Sequence, residues 1–83
     1  MAYTVYILES LNDGSFYIGY TQDIFLRLEQ HNAGESQYTS RKKPWKIVYA
    51  ELIESKSEAL KREIFLKKQR SRQFYLSLIK SNT

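Results

Sequence analysis

The first apolar positions along the chain fall into two short runs that flank a turn. Residues 3–9 and 15–19 are rich in Val, Ile, Tyr and Phe, the residue types that favour strands. Between them, Asn12, Asp13 and Gly14 provide the residue types of a hairpin turn. Because both runs are apolar at odd and even positions alike, we expect both faces of this hairpin to be covered.

Helical periodicity begins after the hairpin. Thr21 or Asp23 can cap a helix that runs to about Asn32, and Gly34 supplies its C-terminal stop. Its expected apolar side consists of Ile24 and Leu28, with Phe25 alongside. The pattern therefore predicts a helix that covers one face of the hairpin.

The second half of the chain predicts one more strand and two more helices. The strand covers residues 45–53, a helix opened by the capping-box spacing of "SKSE" runs to about Gln69, and a last helix spans residues 71–80. The predicted order is β-β-α-β-α-α, an α+β fold with a sandwich-like arrangement: a small three-stranded, mostly antiparallel sheet flanked by helices. We expect residues 1–83 to form a single domain, because this length leaves no room for a second core.

Composition narrows the functional classes. The chain contains no cysteine and one histidine, which excludes a disulfide framework and argues against a transition-metal cage. A hard cation held by carboxylate and water stays open. No apolar run approaches the roughly 20 residues that span a bilayer, and the N-terminus lacks the features of a signal peptide. We therefore expect a soluble, cytoplasmic protein that does not bind membranes.

Charge is distributed unevenly along the chain. Residues 1–40 contain five acidic residues and one basic residue, whereas residues 41–72 contain eleven basic and four acidic residues. This asymmetry indicates a surface for a polyanion, or alternatively a solvated Lys-rich helix surface. The loop "GESQYTSRKKPWK", residues 34–46, interleaves basic and aromatic residues, which suits phosphate neutralisation and base stacking. The alternative is a solvated loop in which Trp45 anchors the third strand.

One acidic residue falls on the apolar side of the second predicted helix. An apolar arc about 160° wide is formed by Ala59, Leu60, Ile64 and Leu66. Glu63 lies within this arc, and a carboxylate that faces a core is costly unless it is paired or holds a cation. The sequence leaves two explanations open: an ion pair with Lys67 or Arg27, or a metal site.

Four other side chains have both an ordinary and a functional interpretation. Arg27 and His31 are four residues apart and lie one above the other at the border of the first helix's apolar stripe. In the ordinary interpretation, Arg27 is a surface cation and His31 a boundary histidine. In the functional one, the Arg27 guanidinium binds a phosphate beside a histidine that titrates near neutrality. Tyr6 and Tyr17 are core aromatics or functional groups, and seven tyrosines make the residue type alone undiagnostic.

Taken together, these positions resemble the GIY-YIG nuclease family, in the form of its small stand-alone bacterial members. "TVY" at residues 4–6 stands for the first motif and "YIG" at residues 17–19 for the second. The stretches "YTQDIFLRLEQHNAG", "QYTSRKKPWKIVYAE" and "SEALKRE" are similar to later parts of the family pattern. The resemblance covers nearly the whole chain.

The resemblance implies a catalytic role for five residues. Tyr6 and Tyr17 would project into the active site, and Arg27 would bind the scissile phosphate. His31 would assist in proton transfer or position a tyrosine, and Glu63 would hold one divalent metal ion, Mg²⁺ or Mn²⁺. Tyr6 is the first choice of base, provided that Arg27 or another cation lowers its pKa from the usual value near 10.

The resemblance, together with the basic and aromatic residues of the loop at residues 34–46, predicts a nucleic-acid surface. Gly19 would end the second strand, and its missing side chain would let the backbone pass close to the substrate groove. The expected nucleic-acid-binding residues are Gly19, Tyr38, Arg41, Lys42, Lys43 and Lys46.

The chain departs from the family pattern at two places. Thr4 replaces the glycine of the first motif, which alters packing rather than chemistry. The late asparagine near the metal in many larger members has no counterpart, with Gln69 as the nearest amide, and this departure weighs on activity. The implied function is a divalent-metal-dependent DNA endonuclease that hydrolyses phosphodiester bonds, in DNA repair or in the processing of branched DNA. The alternatives are a nucleic-acid-binding or partner-binding module with weak or no turnover, and a purely structural module. A protein partner and the oligomeric state stay open, with Phe65 as a candidate dimer contact.

Overall fold

The structure, a computed structural model, describes residues 2–35 and 37–81, without the side chains of residues 37 and 38. Within these ranges the elements are β1 (Tyr3–Ser10), β2 (Phe16–Thr21), α1 (Ile24–Asn32), α2 (Gln37–Ser40), β3 (Trp45–Ile53), α3 (Lys56–Gln69) and α4 (Arg72–Ser81). The strands form an antiparallel sheet in the order β2-β1-β3. The predicted α+β fold is confirmed, and the element that the sequence did not predict is the one-turn helix α2.

Helices cover both faces of the hairpin, as its two-sided apolar pattern predicts. Val5 and Ile7 of β1 pack with Leu66 of α3 and with α4, whereas Tyr6 and Leu8 point to the opposite face. There they pack with Trp45 and with the apolar side of α1, which consists of Ile24 and Leu28. The alternation of one strand thus divides the core into two layers.

The second strand does not end at Gly19, as the sequence analysis expected, but continues to Thr21. Gly19 pairs across the hairpin with Tyr6. A Cβ atom at Gly19 would lie 2.6 Å from Tyr6 Oη and 2.9 Å from Tyr6 Cζ, closer than atoms can approach. Glycine is therefore required there because the Tyr6 ring lies across the neighbouring strand.

The apolar arcs of the helices are narrower than the sequence predicts. Phe25 of α1 is 76% exposed and does not belong to the core. On α3, Ala59 and Leu66 are buried, whereas Leu60 and Ile64 are 40% and 44% exposed. A sheet of this width covers only a narrow stripe of each helix, so residues at the margins of a predicted arc stay in solvent.

Side-chain contacts fix the ends and the rotation of the helices. Asp23, rather than Thr21, caps α1 by accepting the Leu26 N–H, and Ser55 caps α3 by accepting the Glu58 N–H. Phe65, the candidate dimer contact, packs edge-on against Phe74 of α4.

Among the described residues, no helix has the length and apolar character needed to cross a membrane.

Candidate active site

A cleft of about 430 Å³ opens beside β2, at the edge of the sheet between α1 and α3. Five of the residues singled out from the sequence line it: Tyr6, Tyr17, Gly19, Arg27 and Glu63. His31 lies next to Tyr6, with its Nε2 atom 3.5 Å from the Tyr6 hydroxyl. The fold therefore brings together, from four different elements, the five side chains expected to be catalytic.

Tyr6 is 1% exposed, yet its hydroxyl reaches the floor of the cleft. Burial raises the pKa of this hydroxyl more than its hydrogen bond from the Arg27 guanidinium lowers it. The same hydrogen bond raises the pKa of Arg27, which stays positively charged. Arg27 thus lowers the pKa of Tyr6, but not below its usual value, so the condition set for Tyr6 as an ionised base is not met: Tyr6 is a neutral phenol at pH 7.

His31 is the buried polar centre of the α1 layer. Its Nδ1 atom lies 2.9 Å from the Thr39 hydroxyl, and its ring packs edge-on against Tyr17 at a centroid distance of 4.8 Å. Burial, and then the positive charge of Arg27, lower the pKa of His31 below its ordinary value. The imidazole is therefore neutral at pH 7 and able to accept a proton.

Tyr17 forms the part of the cleft floor next to Tyr6. It is half-buried, and its ring lies 6.5 Å from the Tyr6 ring and 6.2 Å from the Trp45 ring, measured between centroids. The two tyrosines of the motifs thus stand side by side on neighbouring strands, in contact with the same buried layer.

Glu63 points from α3 into the cleft, and its side chain is 14% exposed. Its carboxylate lies 3.7 Å from Lys67 Nζ, so the ion pair considered from the sequence is present. Lys67 itself is 51% exposed, and pairs with one solvated partner contribute little stability. Lys67 can therefore leave Glu63 at low cost when another cation approaches.

The donor set at the cleft is compatible with a hard divalent cation rather than with a transition-metal cage. No group of three or more His, Cys, Asp or Glu side chains that could hold a metal occurs in residues 2–35 and 37–81. This excludes a zinc-type cage from the described part of the chain. A single carboxylate in an open cleft fits Mg²⁺, which is commonly bound by one or two carboxylates and otherwise by water and substrate oxygens.

The loop at residues 34–46, called the basic loop below, lies apart from the cleft. None of its four expected DNA-binding basic residues lines the cleft: Arg41, Lys42, Lys43 and Lys46. Lys42 pairs with Asp13 at 3.5 Å, and Lys46 pairs with Glu9 at 3.8 Å. Arg41 and Lys43 are exposed. The Tyr38 side chain falls outside the part of the chain that the structure describes.

Trp45 and Asn32 hold this loop in place. Trp45 is buried, and its indole N–H donates to the Thr39 carbonyl at 2.9 Å. It is therefore an anchor and cannot stack on a nucleobase. Asn32 accepts the Trp45 backbone N–H at 2.6 Å and donates to the Trp45 carbonyl at 3.2 Å, which ties the end of α1 to the start of β3.

Sequence reasoning missed several residues of the site. Lys56, in the first turn of α3, lines the cleft together with Gln22, and Thr39 contacts His31. Lys56 precedes Glu63 by seven residues, which is about two helical turns, so the two side chains lie on the same face of α3. This spacing could have identified Lys56 from the sequence. Thr39 gave no such signal, because its contact with His31 depends on the position of α2.

The chain is similar to known proteins over most of its length. A family model, the GIY-YIG catalytic domain, matches residues 2–75. UPF0213 proteins from Staphylococcus aureus strains Mu3 and Mu50 are each 48% identical over 77 residues, which cover 92% of this chain and 92% of theirs. The solution NMR structure of the UPF0213 protein BH0048 from Bacillus halodurans is 37% identical with a TM-score of 0.58, over 96% of this chain and 84% of that one.

Proposed function

Because the chain belongs to the GIY-YIG family, whose domains are generally nucleases, we propose that it is a divalent-metal-dependent DNA endonuclease. One observation carries the proposal: Tyr6, Tyr17, Arg27 and Glu63 meet in one cleft, with His31 in contact with Tyr6. This set supplies what phosphodiester hydrolysis requires, namely a cation for the phosphate, a proton acceptor for water and a carboxylate for a metal ion.

Arg27 binds the scissile phosphate in this proposal. Its side chain is exposed at the cleft wall, and its guanidinium can donate to two phosphate oxygens while remaining close to the Tyr6 hydroxyl. Lys56 on the opposite wall adds a second positive charge for a neighbouring phosphate. In this pose the phosphorus atom would lie near the two tyrosines, which line the same cleft.

At pH 7 Tyr6 is a neutral phenol and His31 a neutral imidazole, so the two groups can act in a proton relay in which neither is ionised beforehand. The attacking water gives its proton to the Tyr6 oxygen while the Tyr6 proton passes to His31 Nε2. The water oxygen bonds to phosphorus, one ester P–O bond breaks, and the leaving oxygen takes up a proton from solvent. A neutral phenol thus acts as a base without first being ionised.

Glu63 would hold the divalent ion, Mg²⁺ or Mn²⁺, after exchanging its Lys67 partner for it. When bound, that ion supplies positive charge against the phosphoryl oxygens as negative charge develops on them. The exchange explains why a carboxylate is kept on the sheet side of α3, where a hydrophobic residue would pack better.

The basic loop suits sequence-independent contacts with the DNA backbone. Arg41 and Lys43 are exposed and can neutralise phosphates beyond the cleft. We therefore propose weak sequence preference and an affinity that falls steeply with salt. Branched, flapped or damaged DNA in the cytoplasm is the proposed substrate, within DNA repair.

A second candidate is a DNA-binding module of the same fold without useful turnover. The lack of a counterpart to the late asparagine of larger family members favours it, because a metal would then rely on Glu63 alone among the residues singled out. DNA binding that is insensitive to the charge of Glu63, without cleavage, is the expected behaviour of such a module.

A cleavage assay separates the two candidates. Labelled linear, flapped, forked and four-way-junction DNA is incubated with Mg²⁺, Mn²⁺ or EDTA and with the wild type, Glu63→Gln or Glu58→Gln. Glu58 is the matched control, since it lies on the same helix and pairs with Lys61 at 3.7 Å in solvent. Metal-dependent cuts by the wild type and Glu58→Gln, absent with Glu63→Gln, support the nuclease.

The other outcomes are equally informative. Cuts by all proteins indicate a contaminating nuclease, and DNA binding without cuts supports the binding module. We expect Glu63→Gln to leave the free energy of unfolding nearly unchanged, because a half-solvated ion pair contributes only about 0–1 kcal/mol. A loss of several kcal/mol would instead make Glu63 a structural residue.

A further inference from the structure

Thr39 is a buried hydroxyl in a helix of one turn. Its residue is 0% exposed, and its Oγ1 atom lies 2.9 Å from His31 Nδ1. Helix α2, Gln37–Ser40, is too short to be stable by itself and is held by contacts with the rest of the protein. The Thr39 carbonyl accepts hydrogen bonds from the Trp45 indole at 2.9 Å and from the Lys42 N–H at 3.2 Å.

We propose that Thr39 is a positioning residue for the nuclease reaction: its hydroxyl accepts the Nδ1–H of His31 and so leaves Nε2 as the lone-pair nitrogen that faces Tyr6. The proposal rests on the proposed function, because it assigns His31 the acceptor role in the proton relay. It adds a residue that acts through His31 and does not touch the substrate.

The hydrogen-bonding groups around Tyr6 indicate the direction of donation along the series Tyr6, His31 and Thr39. Arg27 has only donors, so toward Arg27 the Tyr6 oxygen can act only as an acceptor. In the proposed chain the Tyr6 proton is directed to His31 Nε2, which lies 3.5 Å from the Tyr6 hydroxyl. A neutral imidazole carries one N–H, which in this chain lies on Nδ1 and donates to Thr39 Oγ1.

This arrangement requires no rearrangement when His31 takes a proton. In the neutral ring Nδ1 carries a proton, and in the protonated ring both nitrogens do. Thr39 accepts the Nδ1–H in both states, so proton transfer from Tyr6 to Nε2 leaves the ring orientation unchanged. The facing charged group is Arg27, which opposes the charge on His31, and Thr39 offsets part of that cost by its hydrogen bond.

Contacts with α1 and β3 hold the Thr39 backbone in place. Asn32, the residue after His31, is bonded to both backbone groups of Trp45, and the Trp45 indole is bonded to the Thr39 carbonyl. His31, Thr39 and Trp45 thus form a closed loop of contacts between α1, α2 and β3. A one-turn helix in this loop can hold a hydroxyl at a fixed place.

The direct test measures the proton on His31. The chain has one histidine, so the ¹⁵N spectrum of its imidazole contains a single pair of ring signals. We expect a protonated Nδ1 and an unprotonated Nε2 in the wild type at pH 8. A wild type with its proton on Nε2 overturns the proposal without any variant and whatever the nuclease assay shows.

Two variants test whether Thr39 is the cause. Thr39→Val keeps the shape and removes the hydroxyl, whereas Thr39→Ser keeps the hydroxyl; Thr4→Val removes a buried hydroxyl of β1 that does not line the cleft. We expect Thr39→Val to shift the tautomer and lower kcat by roughly 10–100-fold with KM unchanged, the range for partners that orient a histidine. Thr39→Ser and Thr4→Val should retain the wild-type tautomer and kcat.

The outcomes separate this proposal from the nuclease itself. An unchanged tautomer in folded Thr39→Val, or a kcat equal to that of Thr4→Val, overturns the role of Thr39. No cleavage by the wild type overturns the nuclease and with it the catalytic part of the proposal, while the ring signals still decide which nitrogen carries the proton.

Discussion

The sheet face under α3 and α4 is covered mainly by apolar side chains, whereas the face under α1 combines an apolar cluster with a buried chain of hydrogen bonds. Val5, Ile7 and Leu66 are fully buried on the first face. On the second, His31 and Thr39 are just as inaccessible, but both are polar and both are paired. Burial on one face stabilises the fold, and burial on the other fixes the geometry and the proton affinities of a site.

The largest expected effect is on activity, from the hydrogen-bonded face. Tyr6→Phe removes the hydroxyl that links Arg27 to His31 and keeps the ring. We expect cleavage in single turnovers to fall by roughly 10²–10⁴-fold, the usual contribution of a proton acceptor. The free energy of unfolding, from urea titration, should change by at most about 1.5 kcal/mol. Activity within a few-fold of the wild type would reduce Tyr6 to a core aromatic.

The hydrocarbon face should show the opposite behaviour. Leu66→Ala leaves a cavity under the sheet and should lower the free energy of unfolding by about 2–5 kcal/mol. Cleavage per folded molecule, measured well below the melting temperature, should stay the same. If Leu66→Ala does not fold, Ile7→Val tests the same face at a cost of about 0.5–1.5 kcal/mol. A lower kcat in either folded variant would show that the two faces are coupled.

Gly19→Ala should lower both the free energy of unfolding and the cleavage activity, unlike the two preceding variants. The new Cβ would lie 2.6 Å from Tyr6 Oη, and the buried ring has little room to move away. We expect a loss of about 1–3 kcal/mol in the free energy of unfolding, as for other overpacked sites, together with reduced cleavage. Thermal unfolding and the cleavage assay on one preparation measure both. Normal activity in a destabilised variant would mean that the Tyr6 hydroxyl needs no fixed position.

The smallest effect is a pH dependence of stability. The pKa of His31 is lower in the folded protein than in the unfolded chain, so the unfolded chain binds more protons as the pH falls through its value of about 6.5. Stability should therefore be complete above that pH and decrease below it, by at most about 1.4 kcal/mol per pH unit. Urea titrations between pH 8 and pH 5.5 measure the slope. His31→Gln should flatten it, and an equal slope in that variant would assign the effect to other groups.

Local patterns in the sequence were sufficient for the three strands and for helices α1, α3 and α4. Strand β3 begins and ends where predicted, and the Asp23 and Ser55 caps have the expected side-chain bonds. These features depend on neighbours along the chain. The same is true of Glu63, whose place on the sheet side of α3 follows from helical spacing.

Features that depend on distant contacts were not predictable in this way. Helix α2 has four residues, too few for a periodic pattern, and exists through the contacts of Thr39 with α1 and β3. The reason for Gly19 lies across the hairpin, in the Tyr6 ring, and so cannot be read from β2. The exposed sides of Leu60 and Ile64 reflect the width of the sheet, which no single helix encodes.

The position of the cleft beside an edge strand has a consequence for solubility. An uncovered strand edge is a template on which another chain can add a strand and begin to aggregate. Arg27, Lys56 and Glu63 line the cleft along β2, and an incoming strand would have to strip water from all three charges. Variants that neutralise these residues to abolish cleavage would also remove this protection, so a catalytically dead protein made in that way would be more prone to self-association than the wild type.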